Sequence, residues 1–537
     1  MKMSLSSIRG YFLQQSESLR EFARGYGKYT AGTLIIGILS YFSLMAEELN
    51  NNYDGIWHLS NFVAGDFEIS LGRGLERYAD RARFGVVSSP LGTILCLLLL
   101  GISLALIIRR FELGGTRRAW FIVFLMTVNP SLCDTLSYIY LAVNYLLACF
   151  FAVFAFYLLT ADAEAAPKAR IRGILSCAVA LAVSMALYQA YFDVFCVLLV
   201  FYGIRMILQR REIREILRYC ADALAGILCG GIFYLLLTKA LLFRAGTTMA
   251  DYKGAADIGP VTILLAFPAS FVKSYQEACN YIFRYHFWTD LEFAGILCAL
   301  LVIGLAALAL CRAAGLFRSS KVHFALYLLF LALIPPAANA VLFLAVGNVM
   351  TGLMATGLLL SVALSLILLP EADRGPAADV LRVVWPAILL LFGWYALFTV
   401  TNDQLALREG RTATVTLTEQ IVSELYRGNY LEAETPRSVA LVGRPGNNPY
   451  FARSKAFDMA NEYAQFGYWS TDPRNNRVSW YGVLTGYLGV TFPLCDDVTY
   501  DTLRATDAVA AMPVFPAAGS IEVIQDVVVV KVSDLYD

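Results

Sequence analysis

Residues 51–83 form a polar stretch between two long apolar runs, and they contain residue types suited to acid–base and anion chemistry. Carboxylates can act as general bases, and guanidinium groups bind phosphate in a directional, bidentate manner. Three arginines are spaced four residues apart, so a helix through them would place all three on one face. This pattern indicates an anion site beside a carboxylate; the alternative is a solvated helix whose charges neutralise one another. The charged residues are Asp54, Asp66, Glu68, Arg73, Glu76, Arg77, Asp80, Arg81 and Arg83.

Further polar candidates lie at the ends of apolar runs or close to them. Polar groups are costly in lipid and therefore often mark functional sites. The amide and acidic side chains among them could contact a substrate, or they could form hydrogen bonds between helices. The tyrosine could stack on a sugar ring or belong to the aromatic belt typical of membrane surfaces. The candidates are Asn144, Tyr145, Gln189, Asp193, Arg284 and His286.

The elements that must position these residues are apolar helices. The chain of 537 residues is 58% hydrophobic and 16% charged, with a mean hydropathy of +0.61, whereas soluble domains carry roughly 25% charged residues. The formal net charge is zero and does not point to a nucleic-acid partner. Because about 20 apolar residues can cross a membrane, the sequence predicts an α-helical polytopic membrane protein with about 11 spans. The predicted spans are residues 30–46, 87–108, 119–134, 139–160, 173–188, 191–208, 220–242, 291–311, 323–345, 351–370 and 383–400.

The distribution of Lys and Arg predicts the orientation of these spans. Basic residues concentrate in alternate connections, at 109–118, 161–172, 209–218 and 312–321, which is the pattern of cytoplasmic loops. The N-terminus is therefore predicted to be cytoplasmic, with residues 1–28 as an amphipathic segment at the membrane surface. Residues 47–86, 244–290 and everything after about 401 are predicted to lie outside. Within the second of these, residues 261–288 are predicted to form a surface or re-entrant helix.

The chain changes character after residue 400. RTATVTLTEQIVSELYR (411–427) is typical of a helix, whereas RSVALVG (437–443) and DVVVVKVS (526–533) are typical of strands. The sequence therefore predicts a transmembrane domain over 29–400 and a small extracytoplasmic α/β domain over 401–537. The 11 cysteines lie mostly in apolar runs and are interpreted as packing residues. Neither they nor the 3 dispersed histidines predict a metal centre.

YDGIWH (53–58) and LGRGL (71–75) follow the first span, and LIPPAANAVLF (333–343) and AMPVFPAAGSIEVIQDVVVVKVS (511–533) occur later in the chain. Together these motifs resemble the bacterial type II glucosyltransferases, which modify O-antigen. The resemblance implies a GT-C-like membrane glycosyltransferase of the bacterial inner membrane. The donor would be a polyprenyl-phosphate hexose, the acceptor an extracytoplasmic glycan or glycolipid, and the reaction inverting. The resemblance requires no cofactor and leaves a divalent metal ion open.

The resemblance also assigns roles to residues of the first outer loop. Asp54 falls on the family's loop aspartate and would be the general base, with Asp66 and Glu68 as the next candidates. Arg73 falls on the arginine of the Gly-Arg motif and would bind the donor phosphate, helped by Arg77. Two other functions stay open at this stage: a transporter or flippase of a lipid-linked sugar, and a non-catalytic assembly protein. The polar residues at outer helix ends and the lack of a sequence repeat favour the transferase over a transporter.

Overall fold

The structure is a computed structural model, and it describes residues 5–52, 54–161, 167–251, 260–287, 292–344, 349–370, 375–431, 437–470 and 472–534. Tyr53 of the YDGIWH motif, and Trp288, Thr289 and Asp290 of the segment that follows His286, lie outside the described residues.

A single long helix opens the chain. Helix α1 (Leu5–Ser40) joins most of the predicted surface segment to the first predicted span without a break, and the short α2 (Phe42–Ala46) follows. Loop 47–86 then contains a 3-10 turn (Asp54–Trp57) and two short helices, α3 (Asp66–Ser70) and α4 (Glu76–Ala82). Since α4 begins at Glu76, Arg73 is not part of that helix. The expectation that Arg73, Arg77 and Arg81 share one helical face is therefore wrong.

The helices of the bundle follow in chain order. They are α5 (Ser89–Arg110), α6 (Arg117–Thr127), α7 (Pro130–Ser137), α8 (Ala142–Ala161), α9 (Pro167–Leu187), α10 (Phe192–Leu208), α11 (Ile213–Ala245), α12 (Pro260–Cys279), α13 (Ala294–Ser319), α14 (Lys321–Ala332), α15 (Ile334–Ala338), α16 (Thr356–Leu364) and α17 (Pro376–Arg427). Short 3-10 turns at Gln189–Tyr191, Ala340–Phe343, Gly352–Met354 and Ser365–Leu368, and a π turn at Asn280–Arg284, complete this part.

Among the described residues, 8 helices are long and apolar enough to cross a membrane. The count becomes 9 if α6 and α7, which meet at an angle of 45°, form one broken span. The break has a local cause, because Pro130 begins α7 and the Asn129 side chain accepts a hydrogen bond from the Leu132 amide at 2.9 Å. The structure is thus that of a helical membrane protein, and the figure of about 11 spans stays a prediction.

The basic connections gather at one end of the bundle, which we call the basic end. Arg110, at the end of α5, donates to the Thr160 carbonyl at the end of α8, and Arg205 donates to the Arg110 carbonyl at 3.0 Å. The other end of α5 follows loop 47–86 in the chain and contacts α2, where the Ser89 hydroxyl donates to the Leu44 carbonyl at 3.1 Å. With 22 residues, α5 separates the two ends by roughly 33 Å.

The C-terminal region contains a small mixed sheet. Strand β1 (Val439–Val442) pairs in parallel with β3 (Val527–Lys531), which pairs antiparallel with β2 (Ile521–Ile524). Both predicted strands are therefore present. Helices α18 (Lys455–Asp458), α19 (Pro473–Gly486), α20 (Asp497–Arg504) and α21 (Asp507–Ala511) lie between β1 and β2. The predicted helix 411–427 is the last part of α17, which runs through residue 400 without interruption.

The C-terminal region packs directly on loop 47–86. Asn52 donates to the Glu462 and Tyr468 carbonyls at 3.3 and 3.1 Å, and its amide oxygen accepts from the Gly467 amide at 2.9 Å. Trp57 donates to the Ser479 hydroxyl on α19 at 3.1 Å. The turn Asp54–Trp57 is thus held between the helical bundle and α19.

Candidate active site

Arg73 is held in one position by the glycine beside it and by two residues of the turn that follows α9. Gly72 has φ +79°, and a Cβ atom there would lie 2.4 Å from the Tyr234 hydroxyl, so only glycine fits. Arg73 Nε donates to the Gln189 Oε1 at 3.3 Å. Its guanidinium lies over the Tyr188 ring, 4.7 Å from the centroid. The Gly-Arg motif therefore presents a fixed, planar cation.

Gln189 organises this part of the loop. Its Nε2 donates to the Leu71 carbonyl at 2.7 Å and to the Tyr234 hydroxyl at 3.0 Å, while its Oε1 accepts from Arg73. The side chain ties loop 47–86 to the turn between α9 and α10 and to α11. The sequence predicts Gln189 as a candidate substrate contact or as a hydrogen bond between helices, and these bonds favour the second, with Arg73 as one of the bonded groups.

Asp54 begins the 3-10 turn and is half-buried. Burial raises the pKa of its carboxyl to about 6, and the positive charge of Arg73 opposes that rise. Asp54 also interacts electrostatically with Tyr138, Tyr140 and Tyr145. A carboxylate with such a pKa is still ionised at neutral pH and is a stronger proton acceptor than one in water. The predicted base and the predicted phosphate ligand thus act on each other in one site.

Glu76 is a fully buried carboxyl in the same site, and the sequence did not single it out. It is 0% exposed, and neither carboxyl oxygen has a hydrogen-bond partner among the described residues. Burial raises its pKa to about 8, although Arg73 lowers it and Asp80 raises it further. Glu76 is therefore mostly neutral at pH 7. Its only distinguishing signal in the sequence is its place three residues after Arg73.

A buried group of tyrosines covers the site on the bundle side. Tyr145 stacks on Tyr188 with ring centroids 4.0 Å apart and planes at 20°. Tyr138 packs against Tyr145 at 6.5 Å and edge-on against Tyr463 of the C-terminal region at 5.7 Å. Tyr145 is only 3% exposed. Buried rings of this kind are not an aromatic belt at a lipid surface, and they leave Tyr188 as the platform for Arg73.

Asn144 stabilises the scaffold of the loop. Its Nδ2 donates to Asp80 Oδ1 at 2.8 Å, and the same carboxylate accepts from Arg83 at 2.8 Å and from the Ala64 amide at 2.8 Å. Asp80 is 0% exposed, so these bonds offset the cost of burying its charge. Asn144 therefore helps to fix the Asp80 carboxylate, and it is connected to the site through that residue.

The remaining loop candidates bind one another. Arg77 donates to Asp66 Oδ1 at 2.7 Å and to the Ala64 carbonyl at 2.8 Å, and Asp66 is exposed. Glu68 Oε2 accepts from the Gly65 amide at 2.6 Å and thereby caps α3. These contacts give the three side chains a role in the structure of the loop. For this part of the stretch they favour the alternative in which the charges neutralise one another.

Three predicted candidates lie in other surroundings. Asp193 Oδ1 accepts from the Val341 amide at 2.7 Å and so ties α10 to the 3-10 turn Ala340–Phe343. Arg284 is exposed, with its guanidinium 5.4 Å from the Tyr285 ring centroid. His286 lines a small cavity with residues of α13 and α17. Among the described residues no group of three or more His, Cys, Asp or Glu side chains could hold a metal ion.

These features define a polytopic helical membrane protein whose polar site lies at one end of the bundle, between a loop and a C-terminal region. The family model described as Glucosyl transferase GtrII matches residues 60–362, more than half of the 537 residues. The chain belongs to this family, which confirms the resemblance found in the motifs and indicates glucosyl transfer. The matched range contains Arg73, Glu76 and Gln189, whereas Asp54 precedes it. Neither the curated proteins nor the solved structures include a match to this chain.

Proposed function

We propose that this protein transfers a hexose, glucose by its family, from a polyprenyl-phosphate donor to an extracytoplasmic glycan or glycolipid. The observation that carries the proposal is that Asp54 and Arg73 lie in one site, close enough for the charge of Arg73 to lower the pKa of the Asp54 carboxyl. The carboxylate is half-buried at the loop end of the bundle, and Gln189 holds the guanidinium group in position. A base and a phosphate ligand are the two groups that an inverting transfer needs there.

The proposed reaction proceeds in one displacement. An acceptor hydroxyl attacks C1 of the hexose while an Asp54 carboxylate oxygen takes its proton. The bond between C1 and the phosphate oxygen breaks, and its electrons stay with the polyprenyl phosphate. Arg73 stabilises the negative charge that develops on this phosphate, and the planar fork of arginine suits two phosphate oxygens. The carboxylate and the leaving phosphate act on opposite faces of C1, so the configuration inverts.

The C-terminal region has a supporting role in the proposal. It contacts Asn52 and Trp57 on both sides of Asp54 and adds Tyr463 to the tyrosine group. We propose that it helps to orient the acceptor above the base and takes no part in bond making. The distribution of Lys and Arg predicts that this region and loop 47–86 lie on the extracytoplasmic side of the membrane.

Two substitutions test the pairing. Asp54→Asn keeps the size of the side chain but removes the proton acceptor, so the transfer rate should fall about 10²–10⁴-fold with donor binding intact. Arg73→Lys keeps the charge but loses the planar fork and its position over Tyr188, so both transfer and donor affinity should fall. Both are measured with polyprenyl-phosphate glucose and cell-envelope glycan in detergent.

Asp526→Asn is the matched control, because it removes an exposed carboxylate that has no place in the proposed site. The control should keep its transfer rate within about twofold, as expected of a surface ion pair. If Asp54→Asn transfers as fast as the control, Asp54 is not the base. If purified parent protein moves the donor across vesicles but never cleaves it, the chain is a transporter of the lipid-linked sugar.

A further inference from the structure

A cavity of about 450 Å³ lies at the basic end of the bundle. It is bounded by the α5–α6 connection and by the ends of α10 and α13. Helices α5 and α10 end at this level, so a membrane around their apolar parts would have its headgroup layer near the cavity. It is about one helix length from Asp54, and no step of the proposed transfer uses it.

Four arginines and one carboxylate line the cavity: Arg118, Arg205, Arg210, Arg312 and Glu112. The lining therefore has three positive charges in excess. The bias of Lys and Arg toward one side of the membrane predicts arginines at this end of the bundle. That bias requires only solvated arginines on separate loops and does not require them to line one cavity. Here arginines from three different connections converge on one concave space.

Two of these guanidinium groups are fixed by carbonyl groups at helix ends. Arg312 donates through Nε and Nη2 to the Leu368 and Leu369 carbonyls, both at 2.8 Å. Arg205 donates to the Arg110 carbonyl and forms an ion pair with Glu112. Preorganised cations lose little freedom when an anion binds. Glu112 is the only carboxylate among the described residues of the lining, so a bound anion would balance the excess charge.

We propose that this cavity binds a phosphate ester, and that the ester belongs to the headgroup of an anionic membrane lipid. Arginine is suited to phosphate because its planar fork bonds two oxygens at once. Basic pockets between membrane helices on the cytoplasmic side are known to bind anionic headgroups. Because its position is at helix ends, a lipid can place its phosphate in the cavity while its chains lie along the bundle.

Native mass spectrometry of the full-length protein in a neutral detergent tests the proposal. Phosphatidylglycerol should be retained in preference to phosphatidylcholine. Arg118→Gln combined with Arg210→Gln should lower phosphatidylglycerol affinity by about tenfold or more, since each lost charged hydrogen bond is worth roughly that factor. These two positions are chosen because Arg205 and Arg312 also hold helix ends. Lys239→Gln with Arg244→Gln, two exposed cations at the loop end of α11, is the matched control.

The outcomes separate the two sources of phosphate. Retention that is lost in the Arg118/Arg210 variant and kept in the control supports the proposal, provided that circular dichroism shows equal helix content. If inorganic phosphate raises the melting temperature as much as phosphatidylglycerol does, the ligand of the cavity is a soluble phosphate and not a lipid headgroup. Equal retention of both lipids by the parent protein, or equal loss in the variant and the control, would overturn the site.

Discussion

Replacing Glu76 by glutamine tests how the buried carboxyl beside Arg73 is protonated. Glutamine has nearly the size and shape of a neutral glutamic acid but cannot ionise. In the structure Glu76 is fully buried and makes no hydrogen bond with the described residues, so its ionised form is costly. The variant should therefore resemble the parent protein at low pH and be relatively more stable at higher pH.

The magnitude follows from the pKa of the carboxyl, which burial raises from 4.5 to about 8. The folded state holds the proton more tightly than the unfolded chain, so the free energy of unfolding falls as the pH rises from 4.5 to about 8. The stabilisation is complete below the first value and lost above the second. Each pKa unit corresponds to about 1.4 kcal/mol. Between about pH 5 and pH 7 this one group should cost the parent protein about 2.5 kcal/mol.

The assay is equilibrium unfolding of Glu76→Gln and the parent protein in mixed micelles at several pH values. The difference between the two proteins cancels every other titrating group. It should shift by about 2.5 kcal/mol in favour of the variant from pH 5 to pH 7. Asp66→Asn, at an exposed ion pair, should shift by less than about 1 kcal/mol. A difference for Glu76→Gln that does not change with pH would mean that the carboxyl is ionised and paired with Arg73.

Three further outcomes are expected. The transfer rate of the parent protein should fall as the pH drops through about 6, because Asp54 then gains a proton and cannot accept another; a pH–rate profile that stays level below this value would contradict the assignment. Gln189→Leu should lower kcat/KM by roughly ten- to a hundredfold through the loosened Arg73, and unchanged steady-state kinetics would show that the hydrogen bond is dispensable. Gly482→Ala places a Cβ 2.4 Å from a carbonyl of the turn that begins at Asp54, so transfer should drop at least tenfold, whereas Gly231→Ala, with nothing within 4 Å, should retain it.

Part of the site can be predicted because charge is rare in this chain. Asp54 and Arg73 are conspicuous between apolar runs, and Gln189 is conspicuous at the end of one. Their types and places are enough to select them without knowledge of any contact. Arg77 is selected in the same way, but its ion pair with Asp66 depends on where α3 and α4 begin, and periodicity alone does not fix helix boundaries.

Glu76 shows what the sequence could not provide. Loop 47–86 has several carboxylates within a few residues of one another, and nothing in the order of residues ranks them by burial. Burial of Glu76 depends on how α4 packs against α8, which is a contact between distant parts of the chain. The strands of the C-terminal region are easier to predict, since runs of β-branched residues favour strands locally. The contact between the C-terminal region and the turn at Asp54 cannot be predicted from the sequence of the C-terminal region or from that of loop 47–86.

Helix α17 runs without interruption from the bundle into the C-terminal region. The number of residues in it therefore sets both the distance and the rotation between the bundle and that region. Each residue added to a helix rotates the rest of the chain by about 100° and advances it by about 1.5 Å. A single insertion near residue 402 would swing the C-terminal region around the helix axis and carry α19 away from the turn at Asp54. Four added residues would nearly restore the direction but raise the region by about 6 Å. Insertions and deletions in this helix are therefore restricted far more than they would be in a flexible linker. In related chains, such changes should add or remove nearly whole helical turns and be accompanied by a change in the length of loop 47–86.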